Sequence, residues 1–144
     1  MIDGVTNSDA IPALEKLMQF AGRRHTLIVN NIANLSTPGF RPTDLDVESF
    51  QAMLGEGIDE RRKANGAGGG DLNLKSTREL DFSNNRLEVT PQALGENILF
   101  HDGNDRNLER IMQDLIENAS TFRMAADFFR SRMDLINTAI RERI

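Results

Sequence analysis

Two runs of residues, one near each end of the chain, step by alternating threes and fours. The first is Ile11, Leu14, Met18, Ala21, His25, Ile28, Ile32 and Leu35. The second is Met112, Leu115, Ala119, Phe122, Ala126, Phe129, Met133, Ile136 and Ile140. Apart from His25 all are apolar, and steps averaging 3.5 keep them on one narrow stripe of an α-helix. A helix cannot shelter its own stripe. The spacing therefore predicts two long helices, over 10–35 and 106–144, paired along these seams as a left-handed coiled coil. At 1.5 Å per residue they would be about 39 and about 57 Å long. Pro12 falls in the first turn of the first helix, where amide donors have no helical partner. Asp105 or Asn107 suits the N-cap of the second. The pairs Arg110 and Asp114, Arg123 and Asp127, and Arg130 and Asp134 lie four apart, off the seam. Each is worth about 0.2–0.5 kcal/mol, so they support the helix without causing it.

Residues 36–105 lack this period. The stretch 56–74 is polar and dense in glycine, with "GAGGG" at 66–70, and reads as a flexible linker. Short alternating segments around Leu72, Leu74, Leu80, Phe82, Leu87 and Val89 follow. They suit a small hairpin turning at Asn84 and Asn85. The expected fold class is mainly α: long N- and C-terminal helices paired as a coiled coil, a flexible or small β/extended central region, and a flexible N-terminus over 1–9. Such a middle would supply little core, leaving assembly to offset the chain's conformational entropy.

A chain of 144 residues has room for one ordinary domain. Its net charge of −5 sits in the middle, where 36–105 hold seven basic and thirteen acidic residues, against the basic patch that nucleic acid requires. There is no cysteine, hence no disulfide or thiol chemistry. The first sixteen residues lack the basic and apolar regions of a cleaved signal, and no apolar run approaches the roughly 20 residues of a membrane span.

Catalytic chemistry finds few candidates. His25, on the seam, reads as a packed or partly solvated side chain. The cluster His101-Asp102-Gly103-Asn104-Asp105 combines oxygen ligands with an imidazole but has neither EF-hand spacing nor paired zinc ligands, and reads as a turn. "GAGGG" is not followed by Gly-Lys-Ser/Thr, so it is no phosphate loop. No catalytic residue, metal ligand, cofactor or small-molecule substrate is expected, and no enzyme.

The end of the first helix is unusual. Asn30 and Asn34 share a face and Asn31 flanks the seam, none of them in a core position. Asparagine is a poor helix former, which suits a fraying end. It also donates and accepts, which suits a dry interface that must avoid charge. Pro38 biases Thr37 away from the α region, and Thr37-Pro38-Gly39-Phe40 fits a type II turn.

Asn30-Asn31-Ile32-Ala33-Asn34 followed by Thr37-Pro38-Gly39-Phe40 resembles the N-terminal signature of the flagellar rod, hook and hook-filament junction family. "DGNDRNLERIM" and "LIENASTFRMAADFFRSRMDLINTAI" resemble the C-terminal region of its proximal-rod, FlgB-type branch, and the short length agrees. The matching segments are 10–54 and 100–144. The chain departs from the family at Phe40 and Arg41, usually Tyr and Lys. Val29 and Leu35 stand where smaller residues are common, and Ile111 where an acid is usual. The resemblance implies a subunit of a helical tube around an export channel, transmitting torque through packed terminal helices. Its asparagine face would lie between subunits, and its terminal regions would be loosely folded before assembly. Implied partners are further copies, the rod proteins FlgC, FlgF and FlgG, the rod-base protein FliE, the MS ring and, in transit, the type III export apparatus. The implied location is the periplasmic rod of the basal body, reached without a cleaved signal. Phe50-Gln51-Ala52-Met53-Leu54 resembles the Phe-x-x-x-hydrophobic element that engages the export gate, with Phe50 and Leu54 as its two contacts. Phe and Leu four apart also make one apolar face of a short helix. Two alternatives remain: the sibling FlgC-type rod protein, and a soluble coiled-coil adaptor that would form a stable helical dimer.

Overall fold

Three helices and four two-residue strands make up the computed structural model, which describes residues 10–65, 70–82, 86–93 and 108–142. In chain order they are α1 (Ile11–Ala33), β1 (Thr43–Asp44), α2 (Val47–Asn65), β2 (Leu80–Asp81), β3 (Glu88–Val89), β4 (Gln92–Ala93) and α3 (Leu108–Arg141). The two long terminal helices of the sequence reading are α1 and α3, and they pack together, with a small strand region between them in sequence. The expected flexible segment 1–9, residues 66–69 of the glycine run, the turn expected at Asn84 and Asn85, the 101–105 cluster and the caps expected at Asp105 or Asn107 lie outside the described residues.

The middle of the chain differs most from expectation. Residues 56–65, read as linker, are the second half of α2. Asp46 starts this helix: its Oδ1 accepts from the Ser49 backbone N–H at 3.0 Å and its Oδ2 from the Ser49 hydroxyl at 2.6 Å. Val47, Phe50, Met53, Leu54, Gly57 and Ile58 then recur at helical spacing on the sheltered side. Gly57 belongs to that face because the 72–74 segment crosses there. A Cβ on Gly57 would stand 2.6 Å from Leu74 Cδ2. Two glycines and the charged run 59–63 hid this helix from a composition-based reading.

β2 and β3 form the small hairpin, with Leu80 opposite Val89 and Asp81 opposite Glu88. β1 and β4 form a second antiparallel pair, Thr43 opposite Ala93 and Asp44 opposite Gln92, with no signal in the sequence pattern.

Contrary to the expectation of little core from the middle, the buried cluster is Phe20 of α1 together with Leu45, Phe50, Met53, Leu80, Phe82 and Leu87. Phe50 is fully buried. Its ring stacks on Phe20 with centroids 4.0 Å apart and planes 4° from parallel, and Phe82 lies 6.4 Å away on a tilt of 29°. Burying each such side chain contributes about 1.5–3 kcal/mol, so α1, α2 and strands too short to stand alone hold one another through this stack. No described residue of α3 belongs to the cluster.

Candidate assembly surface

α1 carries the surface on its other face and at its C-terminal end. The end comes first. Asn31 is buried, and its amide pairs with the backbone of Thr43: Nδ2 donates to the Thr43 carbonyl at 2.8 Å, and the Thr43 N–H donates to Oδ1 at 3.1 Å. The side chain thus acts as one more strand residue beside β1. This corrects the placement of all three asparagines off the core: the amide's two-way hydrogen bonding is used within the chain. Asn34 stands at the C-cap, its Nδ2 donating to the Asn30 carbonyl at 2.9 Å and to Asn30 Oδ1 at 3.1 Å. Asn30 is exposed, as are Ala33, Thr37 and Pro38, while Ile32, Leu35 and Phe40 are half-buried. Gly39 has φ 73°, and the Phe40 N–H donates to the Thr37 carbonyl at 3.2 Å, the geometry of a type II turn.

Along the shaft, two contacts fix how α3 lies. Asn118, itself buried, donates from Nδ2 to the Ala21 carbonyl at 2.8 Å. Asp114 approaches Arg24 Nη2 at 3.5 Å. Partners rise on one helix as they fall on the other, so the pair is antiparallel. The line of α3 that is buried is Ile111, Asn118 and Ala125, each one residue before a seam position. Met112 and Phe122 of the seam are exposed, and Leu115, Ala119, Ala126, Phe129, Met133 and Ile136 are half-buried. On α1, Ile11, Ala21 and Ile28 are buried, Leu14, Met18, Ile32 and Leu35 half-buried, and His25 exposed. Small side chains let the shafts approach, which turns the bulky seam residues of α3 to the flanks. Between the shafts a groove of about 250 Å3 is lined by Ala21, Gly22, His25, Ala119, Phe122 and Arg123, among others.

Counting from Ala21 opposite Asn118, α1 begins opposite residue 128, and about 20 Å of α3 runs on past it. Leu135 and Ile140 on this overhang and Phe128 at its root are each more than half exposed, as are Ile116 and Met124 nearer the joint. Among the described residues no helix is long and apolar enough to cross a membrane, and no group of His, Cys, Asp and Glu could hold a metal ion.

Arg24 was missed by the seam reading, yet it ties α1 to both neighbours. Its Nε and Nη2 grip the Asp44 carboxylate at 2.7–3.1 Å, and the pair is nearly buried. Burial works against the guanidinium charge, but the Asp44 hydrogen bonds and the charges of Asp44, Asp114 and Glu117 outweigh it and raise the Arg24 pKa. A charged residue one turn from Ala21 and Ile28, on the sheltered side of a long helix, was the available signal. Asn118 gave a similar one, lying seven residues from both Ile111 and Ala125.

No protein-family profile matches the chain. Over 122 residues it is 29% identical to the flagellar basal body rod protein FlgB of Borrelia hermsii, an alignment covering 82% of this chain and 85% of that protein. The likeness is to a flagellar rod protein of the FlgB type. An alignment with FlgB of that extent must include most of the central region as well as helical sequence from both ends. Within the FlgB-like chain, the two positions of the export-gate resemblance are not on the surface: Phe50 is the centre of the core and Leu54 is half-buried against it.

Proposed function

We propose that the chain is a structural subunit of the bacterial flagellar rod, in its proximal part, assembling helically around the export channel and transmitting torque through its packed terminal helices. The observation that carries the reading is the bare apolar flank of α3, where Leu135 and Ile140 stand beyond the end of α1 and Phe128 level with it. A surface of that kind needs neighbours, and repeated heterologous contact between such ends builds an open-ended tube. The likeness to a FlgB rod protein supports the same reading. Further copies, FlgC, FlgF and FlgG, the rod-base protein FliE and the MS ring would be its neighbours in the periplasm. The half-exposed rod-signature residues at 30–40 and the seam residues on the flanks of α3 would be the packing surfaces.

Export through the type III apparatus would place Phe50 in contact with the gate only in a chain whose core is open. Loss of secretion on Phe50→Ala, with normal secretion of Phe20→Ala, which empties the same core from outside the motif, would support a gate contact. Equal secretion of the two would remove it.

The rod reading is tested by mass spectrometry of stringently washed hook–basal bodies from cells carrying either the native chain or Leu135→Asp. The native chain is expected with the rod components and the variant in the soluble fraction. Absence of the native chain from basal bodies would overturn the reading.

A further inference from the structure

α3 carries a second stripe, apart from its seam, that the joint with α1 leaves bare. Met124, Phe128, Ser131 and Leu135 step by four, three and four, and all are exposed, the three large ones by 58–60%. α1 has an exposed stripe with the same steps: Gly22, Thr26, Val29 and Ala33. Neither stripe holds a charge, and the Thr26 hydroxyl already donates to the Gly22 carbonyl at 3.2 Å. One stripe is bulky and the other small. A Cβ on Gly22 would meet nothing within 4 Å, and Gly22 borders the groove of about 250 Å3 between the shafts, with Ala119 and Phe122.

The two stripes of one chain point apart. Gly22 and Val29 each follow a buried residue, Ala21 and Ile28, whereas Met124 precedes the buried Ala125. One residue turns a helix by roughly 100°, so a step forward on α1 and a step back on α3 lead to opposite sides of an antiparallel pair. A contact between the stripes of two copies is therefore heterologous and does not close on itself. We infer that the outer stripe of α3 in one copy seats antiparallel on the small stripe of α1 in the next. Leu135 enters the groove at Gly22, Phe128 lies on Val29, Met124 lies on Ala33, and Thr26 faces Ser131. Identical steps let four successive layers interlock as in a coiled coil. The direction rests on the rod reading: an α3 antiparallel to α1 of its own chain and of the next keeps every copy pointing one way, as an open-ended tube needs. Counting from Ala21 opposite Asn118, Gly22 stands level with residue 117 of its own chain, 18 residues short of Leu135. Neighbouring copies would thus be offset by about 27 Å along the helices.

Cysteine cross-linking in stringently washed hook–basal bodies tests the contact, because the chain has no cysteine of its own. The double variants are Gly22→Cys with Leu135→Cys and Ala33→Cys with Met124→Cys. Within one chain each pair is about 27 Å apart, against roughly 7 Å between the Cα atoms of a disulfide, so any bond joins two copies. All four positions are exposed, so the variants are expected to fold. On mild oxidation both should give covalently linked copies, at least about tenfold above Gly22→Cys with Arg130→Cys, whose second position is exposed but off the stripe and outside disulfide reach. Variants that reach the basal body but link no better than this control would overturn the contact and leave the rod reading standing, with another protein covering the stripe. Linking of Gly22→Cys with Met124→Cys in place of the expected pairs would set the copies head to head and overturn it as well. Absence of the chain from basal bodies would overturn the rod reading and this contact together.

Discussion

The two sides of α1 are held by different physics. On one, Phe20 joins residues of α2 and the β2–β3 hairpin in a stacked aromatic core with Phe50 completely buried. On the other, α3 docks through an alanine, an asparagine amide and an isoleucine, with a crowded ionic site beside them. The first side excludes water from large apolar groups and gains in proportion to area. The second closes over smaller side chains and adds polar contacts between the shafts. The contrast teaches that the stacked aromatic core of this chain sits beside its short irregular middle and not along its long, regular heptads.

The strongest way to break that comparison is Phe50→Ala, expected to remove about 3–5 kcal/mol by leaving a cavity in the stack. It should collapse the urea midpoint of the helical signal from the middle as well as from α1. A midpoint near that of the native chain would move the core elsewhere. Asn31→Ala comes next. It strands the Thr43 N–H and carbonyl and should destabilise by about 1–3 kcal/mol, read by the same titration. Asp46→Ala should remove the cap of α2, about 1 kcal/mol. The hydrogen bonds from the Ser49 hydroxyl and backbone hold the Asp46 pKa below its ordinary 3.8. Its stabilisation is therefore complete above 3.8 and fades as the pH falls through the lowered value, so the gap between native and Asp46→Ala should close only in strong acid. The smallest effect sharpens the contrast from outside. Lys75 and Glu60 meet at 2.7 Å with both side chains more than half exposed, and Lys75→Ala should leave the midpoint unmoved.

The readable part of this molecule was the part with a period. Helices near both ends followed from steps of three and four, and the Thr37-Pro38-Gly39-Phe40 turn from the fixed φ of proline and the freedom of glycine. The hairpin followed from Leu80, Phe82, Leu87 and Val89. α2 was readable only as far as its apolar half, because Gly55 and Gly57 count against a helix until Leu72 and Leu74 are seen resting on Gly57. At the assembly surface, the exposed face of α3 was visible as leftover apolar residues, while Arg24, Asp44 and Asn118 were not singled out and Asp114 was read only as the partner of Arg110. Their roles depend on partners 20 to 97 residues away in the chain, which no local pattern encodes.

Periodicity acts within a few turns of one helix, so it sufficed to establish that α1 and α3 exist and that each has a stripe to cover. Which stripe is covered is a question of how two cylinders approach, and small residues won it: Ala21, Asn118 and Ala125 let the shafts close where Phe122 and Met112 would hold them apart. The same distinction governs Phe50. Its spacing from Leu54 marks a helical face, but only the convergence of α1, α2 and the hairpin buries that face at the centre of the protein.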